Sequence, residues 1–292
     1  MALLLTMSAC SGAKSGAEGL RIVATTTILG DVVTRVTGGR AVVDVLLPIG
    51  ADPHEFRASS RQITELGRAD LVVANGLGLE EGLDDVLSSL EADGTLVLRV
   101  ADHLDPIPFG SGTGGGEPDD LDPHVWMDPG RMAIAARLIS AELEILDPDG
   151  PWPANADAYI AALESLDVEI ERTLAGVTSR VLVTNHDSLA YFADGYGFEV
   201  AGVVIPGGST LAAPSSAELA ELVSTIERLG VLAIFTESTE SAVLVDAVAA
   251  EVGAAVAVVR LFVGSLGGPG SGAETYIDMM RTDAALIAEA LD

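Results

Sequence analysis

The feature that most constrains the fold is a regular alternation of short β-branched segments with amphipathic helical segments, which occurs twice along the chain. The segments typical of buried strands are residues 21–25, 41–47, 71–74, 95–100, 181–183, 200–205, 232–235 and 255–261. Strands that alternate with helices favour mostly parallel sheets covered by helices on both faces. The sequence therefore predicts an α/β protein built from two similar lobes.

A long helical pattern separates the two series. Its apolar residues recur at spacings of three and four up to about residue 174, and Asn155 is predicted to cap it. About twenty helical residues span ~30 Å, roughly the width of one domain. A shorter helix is predicted over 79–90 and an irregular loop over 106–122. The predicted organisation is a leader and tether (1–19), an N-terminal lobe (20–150), a linking helix (151–177) and a C-terminal lobe (178–292).

The charge of the chain restricts its partners. Forty-four acidic residues face 15 basic ones, which gives a formal net charge of −29. Such a chain is repelled by phosphate backbones, so a nucleic-acid-binding function is not expected. It also lacks an evident basic surface for anionic lipids.

The single cysteine, Cys10, excludes an intrachain disulfide and a zinc site made of cysteines. An apolar run at 2–7 and two small residues precede it, and a flexible polar segment at 11–17 follows. This arrangement resembles a bacterial lipoprotein signal, which predicts lipid attachment at Cys10. No other stretch has ~20 uninterrupted apolar residues. We therefore expect the folded part outside the cytoplasmic membrane, held there only by the lipid anchor.

Three of the four histidines occur in settings that suit a ligand site. His54 and His124 each end an Asp-Pro-His tripeptide, and His186 follows the predicted strand at 181–183. Proline fixes the backbone of both tripeptides, so the two histidines are presented from turns. In open α/β sheets, ligands bind beyond the carboxyl ends of strands. His103 has no such setting and is predicted to be exposed.

Three neutral imidazoles that converge would suit Zn²⁺, and also Cu²⁺ or Ni²⁺, better than Mn²⁺, which prefers oxygen ligands. Nearby aspartates are candidates either to orient the imidazole N–H groups or to serve as turn and cap residues. They are Asp52, Asp122, Asp128 and Asp187.

Several ordered motifs, from about residue 20 to the end of the chain, resemble the zinc- and manganese-binding solute receptors of ABC metal importers, the cluster A-I type. They are DPHEF (52–56), LGRADLV (66–72), DPHVWMDP (122–129), NHDSLAYF (185–192), SLG (265–267) and GSGAETY (270–276). The resemblance implies two lobes joined by a rigid helix, with a metal ion held in the cleft by His54, His124 and His186. It also implies a monomeric receptor, not an enzyme, that delivers Zn²⁺, or alternatively Mn²⁺, to an ABC permease.

Two positions depart from this family, Ala213, where the family often has glutamate, and a position that concerns the metal ligands. The fourth ligand is typically an aspartate immediately before Ser-Leu-Gly, and here that residue is Gly264. The site would then hold three histidines and water, or would recruit another carboxylate such as Glu237. Two alternatives stay open: a degenerate, weakly binding receptor or adhesion protein, and a zinc hydrolase with three histidine ligands. The hydrolase alternative lacks a His-Glu-x-x-His motif, and Glu237 is its candidate general base.

Overall fold

The computed structural model describes residues 19–110, 121–207, 209–253 and 256–292. The predicted lipid-attachment residue Cys10 lies outside these ranges. So does most of the predicted loop over 106–122, whose two ends are joined by an isolated antiparallel bridge between Pro108 and Leu121.

Two parallel sheets form the framework, one in each half of the chain. The first has the strand order β2-β1-β3-β4 and the second the order β6-β5-β7-β8. The strands are β1 (Arg21–Ala24), β2 (Val42–Val45), β3 (Leu71–Ala74), β4 (Val97–Arg99), β5 (Val181–Thr184), β6 (Glu199–Val203), β7 (Ala233–Glu237) and β8 (Ala257–Leu261). The strand order reverses between β1 and β3 in one sheet and between β5 and β7 in the other. The predicted α/β fold with two similar lobes is confirmed.

Helices cover the sheets. They are α1 (Thr27–Thr37), α2 (Ser60–Leu66), α3 (Asp84–Ala92), α4 (Pro129–Leu146), α5 (Trp152–Leu174), α6 (Ala190–Tyr196), α7 (Ser216–Leu229), α8 (Val243–Val252) and α9 (Tyr276–Leu291). Local sequence explains where several of them begin. Ser59 with Gln62, and Ser215 with Glu218, form capping boxes, while Asp128 accepts from the first turn of α4.

The helix predicted over 79–90 begins later, at Asp84. Residues 77–83 form turns instead, because the Glu80 carboxylate points inward and accepts hydrogen bonds from residues that precede it in the sequence. It accepts hydrogen bonds from the Thr25 hydroxyl (2.6 Å) and from the backbone N–H groups of Asn75 (2.8 Å) and Gly76 (3.1 Å). These buried bonds stabilise a turn where the apolar pattern alone favours a helix.

The long helix α5 also begins at a different residue from the one predicted. It starts at Trp152, with Pro153 in its first turn, where a proline costs no hydrogen bond. Asn155 is not its cap: its side-chain amide donates to the Val36 carbonyl and so ties α5 to the end of α1.

Helix α5 packs against α1, α4 and α9. One continuous apolar core contains residues of both sheets together with the buried face of α5. The lobe limits given above, at residues 150 and 178, stay a prediction. None of the helices that the structure describes combines the length and apolar character needed to cross a lipid bilayer.

Asp283 is a fully buried carboxyl group on α9. Its Oδ1 accepts the backbone N–H of Phe262 at 3.0 Å, while its Oδ2 has no hydrogen-bond partner. Burial, reinforced by the charge of Glu237, raises the pKa of Asp283 to about 7. The folded protein therefore keeps this proton at pH values where the unfolded chain releases it, so folding loses stability as the pH rises toward 7.

We predict that Asp283→Asn removes this decrease in folding stability with rising pH. The difference in the free energy of unfolding, variant minus parent, should increase by at most about 1.4 kcal/mol per pH unit between pH 4 and pH 7. Above pH 7 this difference should stay constant. Urea unfolding of chelator-treated protein at several pH values measures the difference. Glu289→Gln, an exposed position on the same helix, is the control. A difference between Asp283→Asn and the parent that does not change with pH would contradict the prediction.

Candidate metal centre

The three histidines singled out by sequence come together in the cleft between the lobes. The Nε2 atom of His124 lies 3.4 Å from Nε2 of His54 and 3.2 Å from Nε2 of His186. All three residues are at most 3% exposed. Ligand nitrogens about 2.0–2.1 Å from a tetrahedral Zn²⁺ would lie about 3.3 Å apart. The spacing of these atoms therefore suits one small ion. His103, as predicted, is exposed.

Both Asp-Pro-His tripeptides form the same local turn. The backbone N–H of His54 donates to Asp52 Oδ1, and the backbone N–H of His124 donates to Asp122 Oδ1, each at 2.9 Å. An aspartate that accepts from the residue two positions later makes an Asx turn, and the intervening proline stiffens it. The repeated tripeptide thus presents two imidazoles in one way.

His186 comes from the second sheet, two residues after the end of β5. Its backbone carbonyl accepts the Thr184 hydroxyl at 2.6 Å, which fixes the turn. Strand β7, the neighbour of β5 across the point where the strand order reverses, ends at Glu237. His186 and Glu237 therefore meet where open α/β sheets bind ligands.

Carboxylates lie behind two of the three rings, at Nδ1. Asp122 Oδ1 is 2.7 Å from Nδ1 of His124. Glu237 Oε1 and Glu240 Oε1 lie 2.9 and 3.0 Å from Nδ1 of His186. A carboxylate at Nδ1 leaves Nε2 as the free lone pair and makes the ring a better metal ligand. Behind His54, the carboxylate that the described residues place closest to Nδ1 is more distant, with Glu81 Oε1 at 3.9 Å.

These surroundings act differently on two of the imidazoles. Burial, followed by the neighbouring rings of His124 and His186, lowers the pKa of His54 to about 2, so this ring is neutral at ordinary pH. Burial also opposes protonation of His186. The charges of Glu237 and Glu240 outweigh that effect and raise the pKa of His186 well above its usual value. The site thus combines a neutral imidazole with a strongly basic one.

The predicted aspartates serve different purposes. Asp122 orients His124, whereas Asp128 caps α4 and pairs with Arg131. Asp52 links the lobes: while its Oδ1 holds the His54 turn, its Oδ2 accepts the Thr210 hydroxyl at 2.7 Å. Asp187 is buried next to His186 in the chain.

Among the residues that the structure describes, no carboxylate joins the three imidazole nitrogens as a fourth member of their group. Glu237, a candidate for that position, lies at Nδ1 of His186, on the side of the ring opposite Nε2. Sequence reasoning missed Glu240. Its place three residues after Glu237, just past the carboxyl end of a strand, was the available signal.

The segment around Gly264 docks across the cleft. The indole N–H of Trp126 donates to the Val263 carbonyl at 2.9 Å, and the Leu266 N–H donates to the Thr27 hydroxyl at 2.9 Å. A Cβ at Gly264 would lie 2.9 Å from Thr239 Oγ1 and 3.4 Å from Pro53 Cδ. Thr239 therefore occupies the space into which a side chain at position 264 would extend.

Comparison with known proteins places the chain in a family of metal-binding proteins. Residues 22–290 match the family described as zinc-uptake complex component A, periplasmic. The chain is 32% identical to the zinc-binding protein TroA of Treponema pallidum over 286 residues, 95% of this chain and 91% of the relative. It is 31% identical to the manganese-binding lipoprotein MntA of Halalkalibacterium halodurans over 290 residues, 96% of this chain and 93% of that protein.

Solved structures agree in fold. The periplasmic zinc-binding protein TroA of Treponema pallidum superposes with a TM-score of 0.85 at 30% identity, over 94% of this chain and 99% of the other. A Mn-bound mutant of a periplasmic metal-binding protein from Candidatus Liberibacter asiaticus gives a TM-score of 0.83 at 26% identity, over 94% and 100% of the two chains.

The close packing at Gly264 predicts that Gly264→Ala is destabilising. The new methyl group meets Thr239 Oγ1 at 2.9 Å, so the neighbour must move, and we expect a loss of about 1–3 kcal/mol in the free energy of unfolding. In a Thr239→Ala background most of this loss should disappear. Gly195→Ala, where a Cβ meets open space, is the matched control. Chemical denaturation of the parent, the two single variants and the double variant measures the coupling between positions 264 and 239. Additive losses in the free energy of unfolding would contradict a direct contact between the two positions.

Proposed function

The chain belongs to the family of zinc-uptake complex component A, the substrate-binding proteins of metal ABC transporters, and we propose that it captures Zn²⁺ outside the cytoplasmic membrane. In this proposal His54, His124 and His186 bind the ion through their Nε2 atoms. The ion is the cargo of the protein and is handed on to an ABC permease.

The observation that carries the proposal is the mutual spacing of the three buried Nε2 atoms, 3.2 and 3.4 Å for the two pairs that involve His124. Neutral imidazoles suit Zn²⁺, whereas Mn²⁺ prefers carboxylate, carbonyl and water oxygens. Relatives named for manganese and for zinc match this chain about equally well. The preference for Zn²⁺ over Mn²⁺ therefore rests on the donor atoms of this chain and not on its relatives.

The transport role also defines a location and partners. We propose that Cys10 carries a lipid that tethers the protein to the outer face of the cytoplasmic membrane, as the names of the lipoprotein relatives suggest. The proposed partner is a membrane permease. The protein that delivers the ion to it is a monomer in this proposal. The acidic surface of the chain favours attraction of divalent cations toward the protein.

A zinc hydrolase would need a general base beside a metal-bound water. Glu237, the candidate for that base, faces Nδ1 of His186 and accepts the Ser188 hydroxyl at 2.6 Å. In that position it supports an imidazole ligand, which favours binding over catalysis.

Removal of one ligand tests the proposal. We expect metal-stripped parent protein to bind one Zn²⁺ tightly and Mn²⁺ much more weakly, in calorimetric titration with a chelator as competitor. His124→Ala should weaken zinc binding by more than about 100-fold, since it removes a ligand and not merely a group that supports one. His103→Ala, which removes the exposed histidine, should bind as the parent does. Equal affinities in His124→Ala and the parent would contradict the ligand assignment.

The bond between Asp52 and Thr210 predicts an effect on metal release. It joins the loop that carries His54 to the opposite lobe, so its loss should let the cleft open more easily. One hydrogen bond contributes about 0.5–1.5 kcal/mol, and Thr210→Val should therefore speed zinc release by up to about tenfold. Stopped-flow mixing of the zinc-loaded protein with a chromogenic chelator measures the rate. Thr173→Val, exposed on α5, is the control, and an unchanged rate in Thr210→Val would exclude this role.

A further inference from the structure

Two carboxylates lie at one ring nitrogen of His186, although that nitrogen can donate only one hydrogen bond. Its Nδ1 carries at most one hydrogen, yet Glu237 Oε1 and Glu240 Oε1 lie 2.9 and 3.0 Å from it. Among the described residues, Asp122 is the single carboxylate at the same atom of His124. The second carboxylate at His186 therefore needs another explanation.

Glu240 is held in place directly behind the ring of His186. Its side chain is only 8% exposed, and its Oε2 accepts a hydrogen bond from the side-chain amide of Asn185. Its Oε1 has no hydrogen-bond partner, and Nδ1 of His186 makes a well-aligned hydrogen bond to neither glutamate. A buried carboxylate in this condition is unfavourable unless a positive charge lies close to it.

In the metal-loaded protein that positive charge is an ion on the other side of the ring. The three imidazoles are neutral ligands, and among the described residues no carboxylate joins their Nε2 atoms. A dication held by these atoms would have its counter-charge one ring away, at Asp122 behind His124 and at Glu237 and Glu240 behind His186. Carboxylates so placed strengthen imidazole ligands without touching the metal.

We propose that Glu240 is a positioning residue of the metal centre, which acts through His186. From behind that ring it supplies part of the negative charge that no fourth ligand among the described residues provides. The inference rests on the proposed function, because it presumes an ion on Nε2. It goes further in assigning zinc affinity to a residue that does not bind the ion.

The test is Glu240→Gln, which keeps the shape of the side chain and removes its charge. Zinc affinity should fall about 10- to 100-fold in competition titration, the usual effect of losing such a support. The metal-stripped variant should still unfold in one cooperative transition, like the metal-stripped parent. A residue that only stabilises the fold would lower the unfolding temperature and leave the zinc affinity of the folded protein unchanged. Glu251→Gln, at an exposed position on α8, is the control and should change neither quantity.

Cobalt substitution separates support from direct ligation. The visible d–d spectrum of Co²⁺-loaded Glu240→Gln should match that of the Co²⁺-loaded parent, since the coordinating atoms are the same. A changed spectrum would make Glu240 a ligand and overturn the proposal, as would an unchanged zinc affinity. A parent protein that binds no zinc would instead refute the proposed function itself.

Discussion

Three imidazole rings buried against one another are stable only if their ring nitrogens find partners other than water. In this chain Nδ1 of His124 has Asp122, Nδ1 of His186 has two glutamates, and the three Nε2 atoms face one another. Nitrogen lone pairs that converge in a buried site leave a cation as the partner that satisfies all of them at once. The carboxylates behind the rings add the counter-charge. The rest of the structure serves to bring these groups together from two lobes.

The fold achieves this with short loops on a rigid frame. In the second lobe, His186 and Glu237 follow neighbouring strands, β5 and β7, where the strand order reverses. In the first lobe, two stiff Asp-Pro-His turns present His54 and His124. The lobes share one apolar core along α5. At the cleft they are also joined by three hydrogen bonds, between Trp126 and Val263, Thr27 and Leu266, and Asp52 and Thr210. A shared core resists large hinge motions. We therefore expect that an ion enters and leaves through small movements of the cleft loops.

Much of this could be predicted from sequence because it depends on short-range patterns. Apolar periodicity predicted the two parallel sheets and the long helix. The repeated tripeptide indicated two of the three converging histidines. What failed depended on the direction of individual side chains. The buried Glu80 replaces a predicted helical turn, and Asn155 binds Val36 instead of capping α5. Glu237 supports His186 from behind, and Glu240 was overlooked, because sequence spacing does not tell which nitrogen of a ring a carboxylate approaches.

The central claim is that one ion is held by three imidazoles and, among the residues that the structure describes, by no carboxylate. X-ray absorption at the zinc K edge tests it most directly, since multiple scattering from imidazole rings counts histidine ligands in the loaded protein. The account predicts three imidazole nitrogens at about 2.0–2.1 Å and a single further light atom contributed by solvent. Two or fewer imidazoles, or a shell dominated by carboxylate oxygens, would contradict it.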